Sequence, residues 1–134
     1  MPQLGDPHSR RVLVVDDDPF LLELVMTRLA IAGYAVQGAR DGLEAVTRLG
    51  DFRPHAMVLD INMPVMDGFA VLQHMQMQKL TDRTLTLVLT ARNAAEDVSA
   101  AIRLGAKDYL AKPFKDEALV QRVGRLFQRA ARPA

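Results

Sequence analysis

The chain contains no cysteine, which excludes a disulfide framework and any thiolate-bound metal centre. It has no excess of either charge: 17 basic and 16 acidic side chains leave a formal net charge of +1. The basic footprint needed to hold a phosphate backbone is missing, so direct nucleic acid binding by this domain is not expected. The first ten residues, Met1 to Arg10, include Pro, Gly, Asp and His but no apolar run. Neither a signal peptide nor an anchor is read there, and a soluble cytoplasmic protein without membrane association is the expectation. No internal repeat, linker or low-complexity tract is found. At 134 residues, one domain can bury a core without covalent staples.

What the chain does have is a set of short apolar runs that end on reactive side chains. Val12-Leu13-Val14-Val15 leads to Asp16 and Asp17, and Met57-Val58-Leu59 leads to Asp60. Leu87-Val88-Leu89 leads to Thr90, and Tyr109-Leu110-Ala111 leads to Lys112. Strands are expected at 11–16, 35–39, 55–60, 84–90 and 108–112, apolar at successive positions as in a sheet covered on both faces. Segments of helical period separate them. This alternation predicts an α/β fold with a parallel sheet.

Helix boundaries carry their own chemistry. Asp18-Pro19 supplies an N-cap and a first-turn proline, with Leu21, Leu24, Val25 and Leu29 as the apolar stripe and Gly33 as the stop. Asp41 with Glu44, and Asn93 with Glu96, have capping-box spacing, so helices should begin at about 42 and 94. Gly50 and Gly105 are expected to end those helices. Asp67-Gly68 opens another through Met77, and the last spans about Asp116 to Ala130 with Leu119, Val123 and Leu126 inward. Right-handed crossovers then favour a doubly wound sheet whose first and third strands flank the switch point, bringing Asp16, Asp17 and Asp60 together.

Three adjacent carboxylates repel one another, and a divalent cation relieves the conflict. An all-oxygen ligand set favours magnesium, manganese or calcium over zinc or copper. Magnesium keeps waters and takes a phosphate oxygen readily, which points to phosphoryl chemistry. Lys112 and Thr90 suit phosphoryl oxygens, and an aspartate can be the nucleophile that forms an acyl phosphate.

At residues 12–19, 59–68, 89–91 and 105–114 the sequences VLVVDDDP, LDINMPVMDG, LTA and GAKDYLAKPF occur in order. Together they resemble the receiver domains of two-component response regulators, over roughly residues 11–130. The resemblance implies a (βα)5 flavodoxin-like three-layer sandwich with strand order 2-1-3-4-5. Chemotaxis receivers with that order are themselves a worked case of the switch-point rule. It divides the chain into a flexible N-terminal extension at 1–10 and a receiver at 11–131, with no output domain.

The implied function is a phosphorelay switch. Asp60 accepts a phosphoryl group from a sensor histidine kinase or histidine phosphotransfer protein. Mg²⁺, with Mn²⁺ as a substitute, is held by Asp17 and Asp60 directly, by Asp16 mostly through water, and by the backbone carbonyl of Asn62. Catalysis falls to Asp60, Thr90 and Lys112, and Lys112-Pro113 is implied to be cis. Thr90 and Tyr109 form the switch that reshapes the surface of the fourth helix, fifth strand and fifth helix for a downstream protein. Such a domain is not a turnover enzyme, although it catalyses its own phosphorylation and dephosphorylation. Exchanging Arg92 and Asn62, which flank the path of the attacking water, should alter the dephosphorylation rate without abolishing phosphorylation. Lys107-Asp108 stands where regulators with winged-helix outputs often have an acidic pair. Their type of dimer is therefore not implied, and a phosphorylation-dependent homodimer stays open.

Other readings compete. An Asp after a strand is often only a helix cap, which is the reading for Asp18, Asp41 and Asp67. His8, His55 and His74 lack ligand spacing and read as structural or surface, and Met75-Gln76-Met77-Gln78 as core and helix surface. A haloacid-dehalogenase-like phosphatase needs a second acid two residues after its nucleophile, where this chain has Asn62. A flavodoxin-like FMN carrier needs a Gly/Ser/Thr-rich phosphate loop, whereas Asp16-Asp17-Asp18-Pro19 repels phosphate.

Overall fold

A computed structural model describes residues 10–91 and 94–131. Strands β1 (Arg11–Val15), β2 (Ala35–Ala39), β3 (Ala56–Asp60), β4 (Leu85–Ala91) and β5 (Asp108–Lys112) alternate with helices α1 (Pro19–Ile31), α2 (Gly42–Asp51), α3 (Gly68–Met77), α4 (Ala95–Arg103) and α5 (Asp116–Ala131). All strand pairs are parallel, in the order β2-β1-β3-β4-β5. The expected doubly wound (βα)5 architecture is the one observed. Residues 1–9 of the expected N-terminal extension, including His8, lie outside the described residues, as do Arg92 and Asn93.

The unbroken apolar character of the inner strands follows from two covered faces. Leu13, Val15, Met57 and Leu59 enter one core with Leu49 of α2 and Leu72 and Met75 of α3. Val12, Val14 and Val58 enter the other, with Val25 and Leu29 of α1 and Leu119 and Val123 of α5. Each fully buried aliphatic side chain contributes about 1.5–3 kcal/mol relative to exposure. Neighbours along a strand serve opposite layers, so neither polar alternation nor slippage is tolerated.

Three aspartates cap helices as expected. Asp18 accepts from the backbone N–H groups of Phe20 and Leu21, Asp41 from Glu44 and Asp67 from Ala70. Each satisfies a donor that the helix cannot. The fourth cap differs. Ala94 occupies the N-cap of α4 without a side-chain hydrogen bond.

Two sequence expectations need correction. The buried stripe of α1 is Leu22, Val25 and Leu29, whereas Leu24 is 44% exposed. Helix α1 is apolar around most of its circumference, so its composition did not identify the inward face. Gly50 does not end α2, which continues to Asp51 with Phe52 as its C-cap. The left-handed residue is instead Arg53, at φ 51°. The Arg11 guanidinium fixes that turn by donating to the carbonyls of Phe52 and Arg53. Gly33 and Gly105 do take the left-handed conformation after α1 and α4.

Candidate functional site

The sheet register brings the ends of the central strands together. Val15 pairs with Leu59, which sets the next residues, Asp16 and Asp60, beside one another, and Ala91 pairs with Lys112 on the other side. Asp16 and Asp60 are buried, and Asp17 is exposed. Their carboxylates offer oxygen atoms that all lie within 4.8 Å of one another. The Lys112 Nζ lies 3.0 Å from Asp16 Oδ2 and 3.5 Å from Asp60 Oδ2.

Local hydrogen bonds fix the acids. Asp16 Oδ1 accepts from the Asp18 N–H, and Asp60 Oδ1 from the Asn62 N–H. Burial, and then the neighbouring Asp16 carboxylate, push the Asp60 pKa up from 3.8 to about 6, against the opposing pull of Lys112 and the Asn62 N–H. Burial works against the charge of Lys112, but its contacts with Asp16 and Asp60 outweigh this and raise its pKa overall. One ammonium thus serves two anions. The oxygen-only donor set and its surplus negative charge fit a hard divalent cation.

The loop after Asp60 is closed from behind by Gly68. Its N–H donates to the Ile61 carbonyl, and a Cβ there would come within 2.7 Å of the Asp60 carbonyl oxygen and the Ile61 Cα. No larger residue fits without moving backbone. Within the loop, Val65 is 93% exposed and held at φ 69°, a conformation costing a β-branched residue about 1–2 kcal/mol.

Two cavities open at this end of the sheet. One, of about 480 Å³, lies directly against Asp60 and Lys112 and is walled by Leu21, Leu24, Pro113 and Phe114. Sequence reasoning missed this apolar wall. The signal was the excess of apolar residues on the outer side of α1, where Phe20, Leu24 and Ile31 are exposed at positions that share a face. The other cavity, of about 420 Å³, lies between β4, β5 and α4 and is lined by Thr90, Ala94, Val98, Ser99 and Tyr109. Thr90 is buried, and Tyr109 is 44% exposed. The Lys112–Pro113 peptide bond is cis. Asn62 is exposed beside Asp60. Among the histidines, His55 accepts the Arg11 backbone N–H at Nδ1, a structural use.

Among the described residues, no helix is long and apolar enough to cross a membrane. Residues 12–124 match the family model described as the response regulator receiver domain. The response regulator MprA of Mycobacterium bovis is 42% identical over 121 residues, covering 90% of this chain and 52% of MprA. The transcriptional regulatory protein PrrA of Mycobacterium leprae is 43% identical over 121 residues, covering 90% of this chain and 51% of PrrA. The chain spans about half the length of these curated relatives. Among solved structures, chemotaxis protein CheY4 of Vibrio cholerae is 35% identical with a TM-score of 0.82, covering 88% of this chain and 98% of CheY4. A response regulator from Chloroflexus aurantiacus is also 35% identical, with a TM-score of 0.84 over 90% of this chain and 99% of that one. With its sheet order, its clustered acids and these similarities together, the chain belongs to the response regulator receiver domains of two-component signalling.

Proposed function

We propose that residues 11–131 form a phosphorylation switch whose acceptor is Asp60. The observation that carries this reading is the buried Asp60 carboxylate, 3.5 Å from the Lys112 ammonium and clustered with Asp16 and Asp17 beside an open cavity. Asp60 attacks the phosphorus of a phosphohistidine. A P–O bond forms, the P–N bond breaks, and the departing imidazole takes a proton from solvent. Lys112 and the Thr90 hydroxyl stabilise charge on the phosphoryl oxygens. Asp17, Asp60 and the Asn62 carbonyl would hold Mg²⁺ directly, or Mn²⁺ in its place, with Asp16 acting mostly through bound water. When bound, the ion offsets the carboxylate charge and the charge of the incoming phosphoryl group.

The donor is a protein, a sensor histidine kinase or a histidine phosphotransfer protein, working in the cytoplasm. The exposed Phe20, Leu24 and Ile31 of α1, leading to the cavity at Asp60, suit an apolar protein surface better than a small hydrophilic donor. Water later hydrolyses the acyl phosphate, so the domain resets itself without acting on an external substrate. Thr90 and Tyr109 line one cavity, and inward rotation of Tyr109 would fill it. That movement alters the α4-β5-α5 surface for a downstream protein, for an attached effector, or for a second copy of the chain.

The test is exposure to acetyl phosphate with Mg²⁺, followed by intact mass spectrometry. An adduct of about 80 Da on the parent chain, absent in Asp60→Asn, supports the reading. An adduct that persists in Asp60→Asn contradicts it.

A further inference from the structure

A third cavity, of about 560 Å³, lies beside the carboxyl ends of α2 and α3, at the opposite end of the central strands from Asp60. Its volume falls within the range of small-ligand sites, about 300–1,000 Å³. Val46, Leu49 and Leu80 give it a minor apolar part of a mainly polar lining. Arg53, Arg83, His74 and Gln78 give it a polar rim without a carboxylate.

The backbones of the two arginines are fixed by a rigid base, from which their exposed side chains extend. Arg53 precedes β3 and Arg83 precedes β4, and these strands pair from Ala56 and Leu85 onward. The buried Thr84 hydroxyl donates to the Pro54 carbonyl at 2.7 Å, tying the residue after Arg83 to the residue after Arg53. Arg11 locks the left-handed turn at Arg53 from the other side. His74 of α3 and Gln78, the C-cap that follows it, line the cleft four residues apart.

The nearby acids are engaged elsewhere: Asp51 pairs with Arg48 at 3.1 Å, and Asp82 with Lys107 at 3.2 Å. Among the described residues, no ion pair holds Arg53 or Arg83. The carboxyl ends of α2 and α3 contribute about half a negative charge each, which leaves two full cations with a net positive charge here. A pair of forked guanidiniums matches a tetrahedral dianion, and the adjoining apolar part matches an apolar body attached to it.

We propose that this cleft binds a small phosphomonoester, with its phosphate between Arg53 and Arg83 and its apolar portion on Val46, Leu49 and Leu80. The test is an amide-shift titration by NMR of the Asp60→Asn chain in Mg²⁺-free buffer at fixed ionic strength, so that the acidic site does not compete. Phenyl phosphate and inorganic phosphate are the probes. The expected result is saturable shifts at Gly50, Arg53, His74 and Arg83, with phenyl phosphate the tighter of the two. Arg53→Gln with Arg83→Gln should weaken binding at least about tenfold. If that pair perturbs folding, Arg83→Gln alone, outside both helices, carries the comparison. Shifts matched by chloride, shifts confined to the Asp16 and Lys112 region, equal affinity for the two probes, or affinity unchanged by the substitutions would each overturn the proposal. A loss of stability with no saturable binding would mean that the cations serve only the helix ends.

Discussion

The ammonium of Lys112, at the end of β5, lies 3.0 Å from the buried carboxylate of Asp16, at the end of β1, across 96 positions of sequence. It also lies 3.5 Å from Asp60. Removing this one cation therefore leaves two buried anions facing each other. Breaking a fully buried pair costs about 3–5 kcal/mol, and the 30% exposure of the Lys112 side chain reduces this to an expected loss of about 1–3 kcal/mol for Lys112→Met at pH 8 without metal. Urea unfolding measures it. A variant as stable as the parent would show that the contact has no energetic role.

Asp60 gives a pH signature of its own. Its pKa is 3.8 unperturbed and about 6 in the folded chain, so between these values the folded state holds a proton that the unfolded state has released. This contribution is fully present below about pH 4 and is lost as pH rises through about 6. A shift of this size corresponds to about 3 kcal/mol. Asp60→Asn, neutral throughout, should therefore gain about that much stability over the metal-free parent at pH 8 compared with pH 4. Unfolding curves at the two pH values check this, and a stability difference independent of pH counts against it.

Glycines separate close approach from simple flexibility. Gly68→Ala drives a methyl group into the backbone of Asp60 and Ile61, with an expected cost of about 1–3 kcal/mol and slower phosphorylation. At Gly124, inside α5, an added methyl group would have nothing within 4 Å of it. Gly124→Ala should stabilise by about 0.5–1 kcal/mol through helix propensity alone. Thermal unfolding of the two variants should move in opposite directions.

Tyrosine emission tests the proposed switch, because the chain has no tryptophan and only two tyrosines. Tyr109 is 44% exposed, whereas Tyr34 is half-buried against Phe127. Beryllofluoride with Mg²⁺ should reduce iodide quenching of the parent as Tyr109 moves inward. Thr90→Ala should weaken that response. Unchanged quenching in the parent would rule out the rotation.

Much of this was legible in the sequence because strand ends and caps are local. The apolar runs before Asp16, Asp60, Thr90 and Lys112 match the strands closely, and Asp18, Asp41 and Asp67 cap helices through bonds spanning two or three residues. What escaped depends on three-dimensional packing. The inward face of α1 could not be read from a helix apolar nearly all round, so Leu24 was assigned to the core and the wall beside Asp60 was overlooked. Arg53 replaced Gly50 at the end of α2 because Arg11, 42 positions earlier, holds the turn. The bond of Thr84 to Pro54, and with it the placement of Arg53 and Arg83, depends on strand register and has no local sequence signature.

The central claim is that clustered carboxylates, balanced by Lys112, prepare Asp60 to receive a phosphoryl group. Peptide mapping after exposure to a phosphohistidine donor with Mg²⁺ tests it most directly, with sodium borohydride used to trap the acyl phosphate. The account predicts a reduced residue at position 60 that depends on both donor and Mg²⁺. Trapping at Asp16, Asp17 or another residue, with Asp60 unmodified, would contradict it.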